Sequence, residues 1–212
     1  MKLGIVAHLA LVSIISISGC TNTEISNSDI KKPNVVSEKK IQAPFRFHKE
    51  IEVKPGLTFD VVSWGRGSET SGAYMILRSD STHLKYRSIT GELDGKLLDA
   101  WNMDMDSDGN PELFIQAEGV GEGSHLTMYV YEFNDSGNSQ KISFPSLSGS
   151  LKKGYKGQDS LYIKEGKLMR EFPVFENEGT DSLKTSERRK LEYNFRSNSF
   201  SVKQIKEEDQ SE

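Results

Sequence analysis

The stretch His125–Phe133 reads HLTMYVYEF. In an extended chain Thr127, Tyr129, Tyr131 and Phe133 fall on one side and Leu126, Met128 and Val130 on the other, because side chains alternate across a strand. Both sides are largely apolar or aromatic, so both must be covered by protein, and the segment predicts a central strand of a layered β fold. The aromatic row is also a surface on which sugars can stack, but packing between two sheets is the reading it favours.

The same grammar extends in both directions along the 212-residue chain. Short runs rich in Val, Ile, Tyr, Phe and Thr occur at Thr58–Ser63, Ala73–Arg78, Leu84–Ile89, Lys96–Met103 and Glu112–Ala117. They resume at Lys141–Phe144, Ser160–Lys164, Leu168–Phe175, Arg189–Phe195 and Phe200–Ile205. Turn-forming residues separate them, as in Ser79-Asp80-Ser81, Asn134-Asp135-Ser136-Gly137-Asn138, Glu165-Gly166-Lys167 and Ser197-Asn198. No segment carries a sustained helical period with caps. The expected fold is all-β, an antiparallel sandwich or a barrel-like domain.

The N-terminus has a different character. Met1-Lys2 is followed by an apolar run from Leu3 to Ile17 and then by Ile17-Ser18-Gly19-Cys20, the order of a cleaved export signal over residues 1–19. The run is shorter than the roughly 20 apolar residues a bilayer-spanning helix needs. Ile-Ser-Gly-Cys resembles the lipobox of bacterial lipoproteins, and that resemblance implies a diacylglycerol thioether on Cys20, an added acyl chain such as palmitate, and a membrane anchor made of lipid alone. Cys20 is the only cysteine, so it has no partner for an intramolecular disulfide. Thr21 follows where aspartate would retain an enteric lipoprotein at the inner membrane, so the expected location is the cell envelope, at the outer membrane facing the periplasm or the surface. Residues 20–43 are polar and lack aromatics, as a flexible tether would be. The globular domain is expected over 44–205, with a charged tail at 206–212.

A formal net charge of −4 with mixed signs argues against nucleic acid, which demands a concentrated basic face. Arg188-Arg189-Lys190 is the only compact basic cluster in the expected domain and has Glu187 and Glu192 beside it.

The most specific chemistry lies in Asp104-Met105-Asp106-Ser107-Asp108-Gly109-Asn110-Pro111-Glu112. Carboxylates at alternate positions followed by glycine form the front half of an EF-hand-type loop, in which hard oxygens converge on calcium and glycine permits the sharp turn. Asp104, Asp106 and Asp108 would offer side-chain oxygens, Asn110 its backbone carbonyl and Glu112 a further ligand. Ile115 stands where an EF-hand has its bidentate glutamate, and an apolar strand replaces the exit helix. The loop looks like the strand–loop–strand calcium turns of FG-GAP-type β-proteins, and the expected cofactor is a structural calcium ion.

An active site is harder to find. His48, His83 and His125 show no zinc-ligand spacing, and no GxSxG or SxxK nucleophile motif is present. No enzymatic activity is expected.

Two glycine-rich loops remain, Trp64–Tyr74 and Glu118–His125. The succession of Ser71-Gly72-Ala73-Tyr74, the acidic loop ending in Pro111-Glu112-Leu113, and a Gly/Ser loop opening a long strand resembles the bacterial periplasmic inhibitors of invertebrate-type lysozyme, over about residues 58–147. The resemblance implies a protein-binding module whose partner is a lysozyme-like glycosidase, with Ser71, Gly72 and Tyr74 entering the cleft and Gly121, Gly123 and Ser124 beside them. Two departures stand out. Glu122 intrudes in the second loop, where it would face a glycosidase's own carboxylates, and His125 occupies the approximate aromatic position. The alternative is a calcium-stabilised structural, adhesive or glycan-binding module that needs the acidic loop but neither Ser71 nor Tyr74.

Overall fold

The chain is described here by a computed structural model covering residues 41, 43–119, 125–176 and 183–206, with 183 and 184 as backbone alone. Among the described residues three antiparallel sheets of four strands each follow one another along the chain. The first runs β1 (Phe45–Lys54), β2 (Leu57–Trp64), β3 (Ser71–Asp80) and β4 (Lys85–Asp94) in that spatial order. The second runs β5 (Lys96–Met103), β6 (Glu112–Glu118), β7 (Leu126–Phe133) and β8 (Ser139–Ile142). A single turn of helix, α1 (Gly149–Lys152), leads to β9 (Ser160–Lys164), β10 (Lys167–Glu176), β11 (Leu183–Arg196) and β12 (Ser199–Ile205), which lie in the order β12-β11-β10-β9. The protein is an all-β sandwich of antiparallel meanders, and among the described residues no sheet closes into a barrel.

The second sheet is the middle layer, and its residues divide between two cores. Leu113, Ile115, Ala117, Tyr131 and Phe133 pack with Ile51, Phe59, Val61, Tyr74, Ile76 and Leu93 of the first sheet. The intervening residues Phe114, Val130 and Ile142 point the other way, onto Leu168, Phe172, Leu191, Tyr193 and Phe195 of the third. This double burial is why Glu112-Leu113-Phe114-Ile115 is buried without alternation and why HLTMYVYEF has no polar face.

Several boundaries differ from the expectation, most of all that of β11, which opens at Leu183 rather than Arg189, and β1 was not expected at all. FRFHKEIEVK is charged enough to read as loop, yet Phe47, Lys49, Ile51 and Val53 alternate inward of their neighbours, and Lys49 reaches Asp99 at 2.6 Å. β4 continues from the expected Leu84–Ile89 to Asp94, in full register with β3. The strand expected at Lys141–Phe144 is β8, two residues earlier, and Phe144 instead stacks on Tyr193 at 4.7 Å. His125 precedes β7 rather than opening it.

Gly95 alone links the first sheet to the second. Its φ is +99°, and a Cβ there would fall 1.9 Å from the carbonyl oxygen of Glu118, so only glycine fits both the conformation and the space.

The segment from Gly154 into β10 folds around a buried ion pair. Arg170 Nε donates to Asp159 Oδ1 at 2.6 Å, its Nη2 to the Tyr155 hydroxyl at 3.0 Å and its Nη1 to the Tyr193 hydroxyl at 3.3 Å. Tyr155 in turn donates to Asp159 Oδ2 at 2.5 Å. Every guanidinium nitrogen has a partner, which is what makes a buried charge tolerable.

A candidate cation site at the start of the middle strand

Strand β5 ends at Met103 and β6 begins at Glu112, paired across the ladder. The eight residues between must reverse the chain in a polar loop, and its own carboxylates shape it. Asp104 accepts the backbone N–H of Asp108 at Oδ1 and that of Gly109 at Oδ2, both at 3.1 Å. Asp108 accepts the N–H of Asn110 at 2.8 Å and its side-chain amide at 2.9 Å. Left-handed φ values of 59° at Ser107 and 87° at Gly109 fold the backbone around these groups.

The result is convergence. One ligand atom each from Asp104, Asp106, Asp108 and Glu112 lies within 4.8 Å of all the others, a spacing that suits oxygens gathered about one hard cation. The Asn110 side-chain amide N–H is tied to Asp108, and both its backbone carbonyl and its Oδ1 remain as oxygens that could face a cation.

Glu112 carries the strongest physical signal. It is wholly buried; its Oε2 accepts the Met105 N–H at 2.7 Å, while its Oε1 has no hydrogen-bond partner. Burial, reinforced by Asp106, Asp104 and Glu132 and opposed by the Met105 N–H, pushes its carboxyl up to about 7. Asp106 Oδ1 is likewise buried and unpartnered. Several carboxylates of one sign, two of them with buried oxygens that no protein donor satisfies, repel one another, and a bound cation would relieve that repulsion.

One further residue belongs to the neighbourhood and was missed from sequence. Glu132 of β7 sits directly across the ladder from Glu112, where like charges repel. Burial, then Asp108, raises its carboxyl above the ordinary value, and its Oε2 is also buried without a partner. Its other oxygen accepts from Asn198 Nδ2 at 3.4 Å, tying the site to the turn between β11 and β12. The readable signal was the pairing of β6 with β7, which sets Glu112 opposite Glu132 once the register is known.

The residues assigned to partner binding are dispersed in their roles. Ser71 is exposed at the first position of β3. Gly72 is next to it, but a Cβ there would meet the Trp64 carbonyl oxygen at 2.5 Å, so its smallness serves the contact with β2. Tyr74 corrects the expectation: it is 1 % exposed and cannot offer its ring to a partner. It faces the first core beside Ile76, hydrogen-bonds the Tyr131 hydroxyl at 2.7 Å and packs on Tyr129 at 4.8 Å. Burial and then the Tyr131 hydroxyl hold its phenol above the usual range. Gly121, Gly123 and Ser124 lie outside the described residues, as does Cys20.

Among the described residues no helix is long and apolar enough to cross a membrane. Comparison with protein-family models, with curated proteins and with solved structures gives no match.

Proposed function

We propose that this protein is a calcium-stabilised binding module of the cell envelope, anchored by lipid on Cys20, that acts by recognition rather than by catalysis. The observation that carries the reading is the convergence of Asp104, Asp106, Asp108 and the fully buried Glu112 at the entry to β6. Calcium suits it better than a softer metal, because every candidate ligand is oxygen and, among the described residues, no histidine or cysteine joins them. A structural role fits a site at the start of a strand that both cores share. The anchor rests on the Ile17-Ser18-Gly19-Cys20 motif.

Calorimetric titration of the full chain with calcium chloride tests this. Saturable binding is expected, with a higher melting temperature in calcium than in EDTA, and Asp106→Ala or Asp108→Ala should abolish both. No heat and an unchanged melting temperature would end the reading.

A second reading keeps the glycosidase partner, and the exposed Ser71 favours it. An invertebrate-type lysozyme should then lose activity in the presence of the chain, and Ser71→Asp should restore it. Undiminished lysis with the unmodified chain would dispose of this reading without touching the first.

A further inference from the structure

Four turns meet at one end of the molecule. The β1–β2 turn, the β3–β4 turn, the acidic loop at Gly109 and Pro111, and the β7–β8 turn at Asn134 and Asp135 together line a cavity of about 500 Å³. That falls within the roughly 300–1,000 Å³ typical of small-molecule sites. The turns hold one another in place: Ser81 N donates to the Gly56 carbonyl at 2.8 Å and Phe133 N to the Pro111 carbonyl at 3.1 Å. Loops fixed on a rigid sheet scaffold are where β-sandwiches place recognition.

Arg78 lines this cavity and is only 4 % exposed. Its Nη2 makes a single long bond of 3.4 Å to Asp80, while Nε and Nη1 have no partner. The contrast with Arg170 is direct, since every nitrogen of that equally buried guanidinium is bonded. Gly137 lets the guanidinium pack closely against the β7–β8 turn, for a Cβ there would stand 3.0 Å from Nη1. A buried, always-charged group with two unbonded nitrogens has donors to spare for an acceptor.

The rim has the same sign. Lys54 and Lys85 also line the cavity and are exposed. Two carboxylates oppose them, Asp80 and Asp135, but Asp80 is already engaged, accepting the backbone N–H of His83 at 3.0 Å and facing its ring nitrogen at 3.0 Å.

We propose that this cavity binds an oxyanion (carboxylate, sulfate or phosphate) borne by a ligand of small-sugar size. Arg78 is the fixed donor at its floor, and Lys54 and Lys85 attract and hold the charge at its mouth. The site requires none of the four clustered carboxylates as ligands, so it stands apart from the calcium reading.

The test is calorimetric titration of the full chain in EDTA with inorganic phosphate, inorganic sulfate and sodium glucuronate, against sodium chloride at matched ionic strength. The three probes separate the three sources of the anion, and EDTA keeps the result independent of the cation site. At least one probe is expected to saturate with one site per chain. The double variant Lys54→Ala/Lys85→Ala, which alters only exposed side chains, should weaken that probe about fivefold or more. Arg78→Lys, checked for folding by circular dichroism, should weaken it further by removing the planar fork. Absence of saturable binding for all three probes would overturn the proposal, and so would binding that the double lysine variant leaves unchanged.

Discussion

In EDTA, the stability of the chain should fall as the pH rises from about 4.5 through 7, and saturating calcium should restore it. The residue responsible is Glu112, whose carboxyl is raised from 4.5 to about 7 chiefly by burial. A carboxyl that holds its proton more tightly folded than unfolded stabilises the fold fully below its unfolded value. That contribution is lost as the pH climbs through the folded value, and the loss by pH 8 is about 3 kcal/mol. Glu132 is raised in the same direction. Asp80 and Glu192 are lowered instead, so their contributions change below the ordinary carboxylate range and leave this window alone. Calcium binds the ionised site, so its stabilising effect should grow across the same window, reaching about 2.7 kcal/mol at a concentration a hundred times its dissociation constant. Melting curves at several pH values, with and without calcium, read both effects, and Glu112→Gln isolates the residue by flattening the EDTA profile. An EDTA profile that is identical in the unmodified chain and in Glu112→Gln would sink the assignment.

The larger loss in a single substitution should come from Asp159→Ala, at about 3–5 kcal/mol. Asp159 and Arg170 have side chains only 3 % and 5 % exposed and meet at 2.6 Å. Removing the carboxylate strands the guanidinium in the second core and also takes an acceptor from Tyr155 and from the Leu126 N–H. Replacing both partners with apolar residues, as in Asp159→Leu/Arg170→Met, should cost less than the single change, because the expense lies in the unpaired charge rather than in the lost bond. Urea unfolding of the two variants measures the difference; a single-variant loss under about 1 kcal/mol would mean that water reaches Arg170 and the pair is not truly buried.

Much of this architecture could be read in the residues. Doubly apolar HLTMYVYEF announced a strand covered on both faces, and the turn residues after it placed the hairpins. The limits of that reading are physical. In FRFHKEIEVK the inward positions include Lys49, whose charge hides the alternation until Asp99 is brought to it by the fold. The acidic loop was legible because a loop's ligands are close in sequence, whereas Glu132 lies a whole strand away and becomes a neighbour only through register. Tyr74 was misassigned although the clue was local. It shares parity with Ile76, and two-residue spacing along a strand puts both on the buried face.

The middle sheet also decides how this chain can be divided. A two-layer sandwich can in principle be cut between domains, but here Phe114, Val130 and Ile142 turn their backs on the first core to serve the second. Ending the chain after β8 would therefore expose a wall of apolar side chains on an otherwise complete pair of sheets. Such a fragment should self-associate through that wall rather than persist as a monomer. The layers are thus indivisible: the last sheet is not an appendage but the cover that the first two cannot do without.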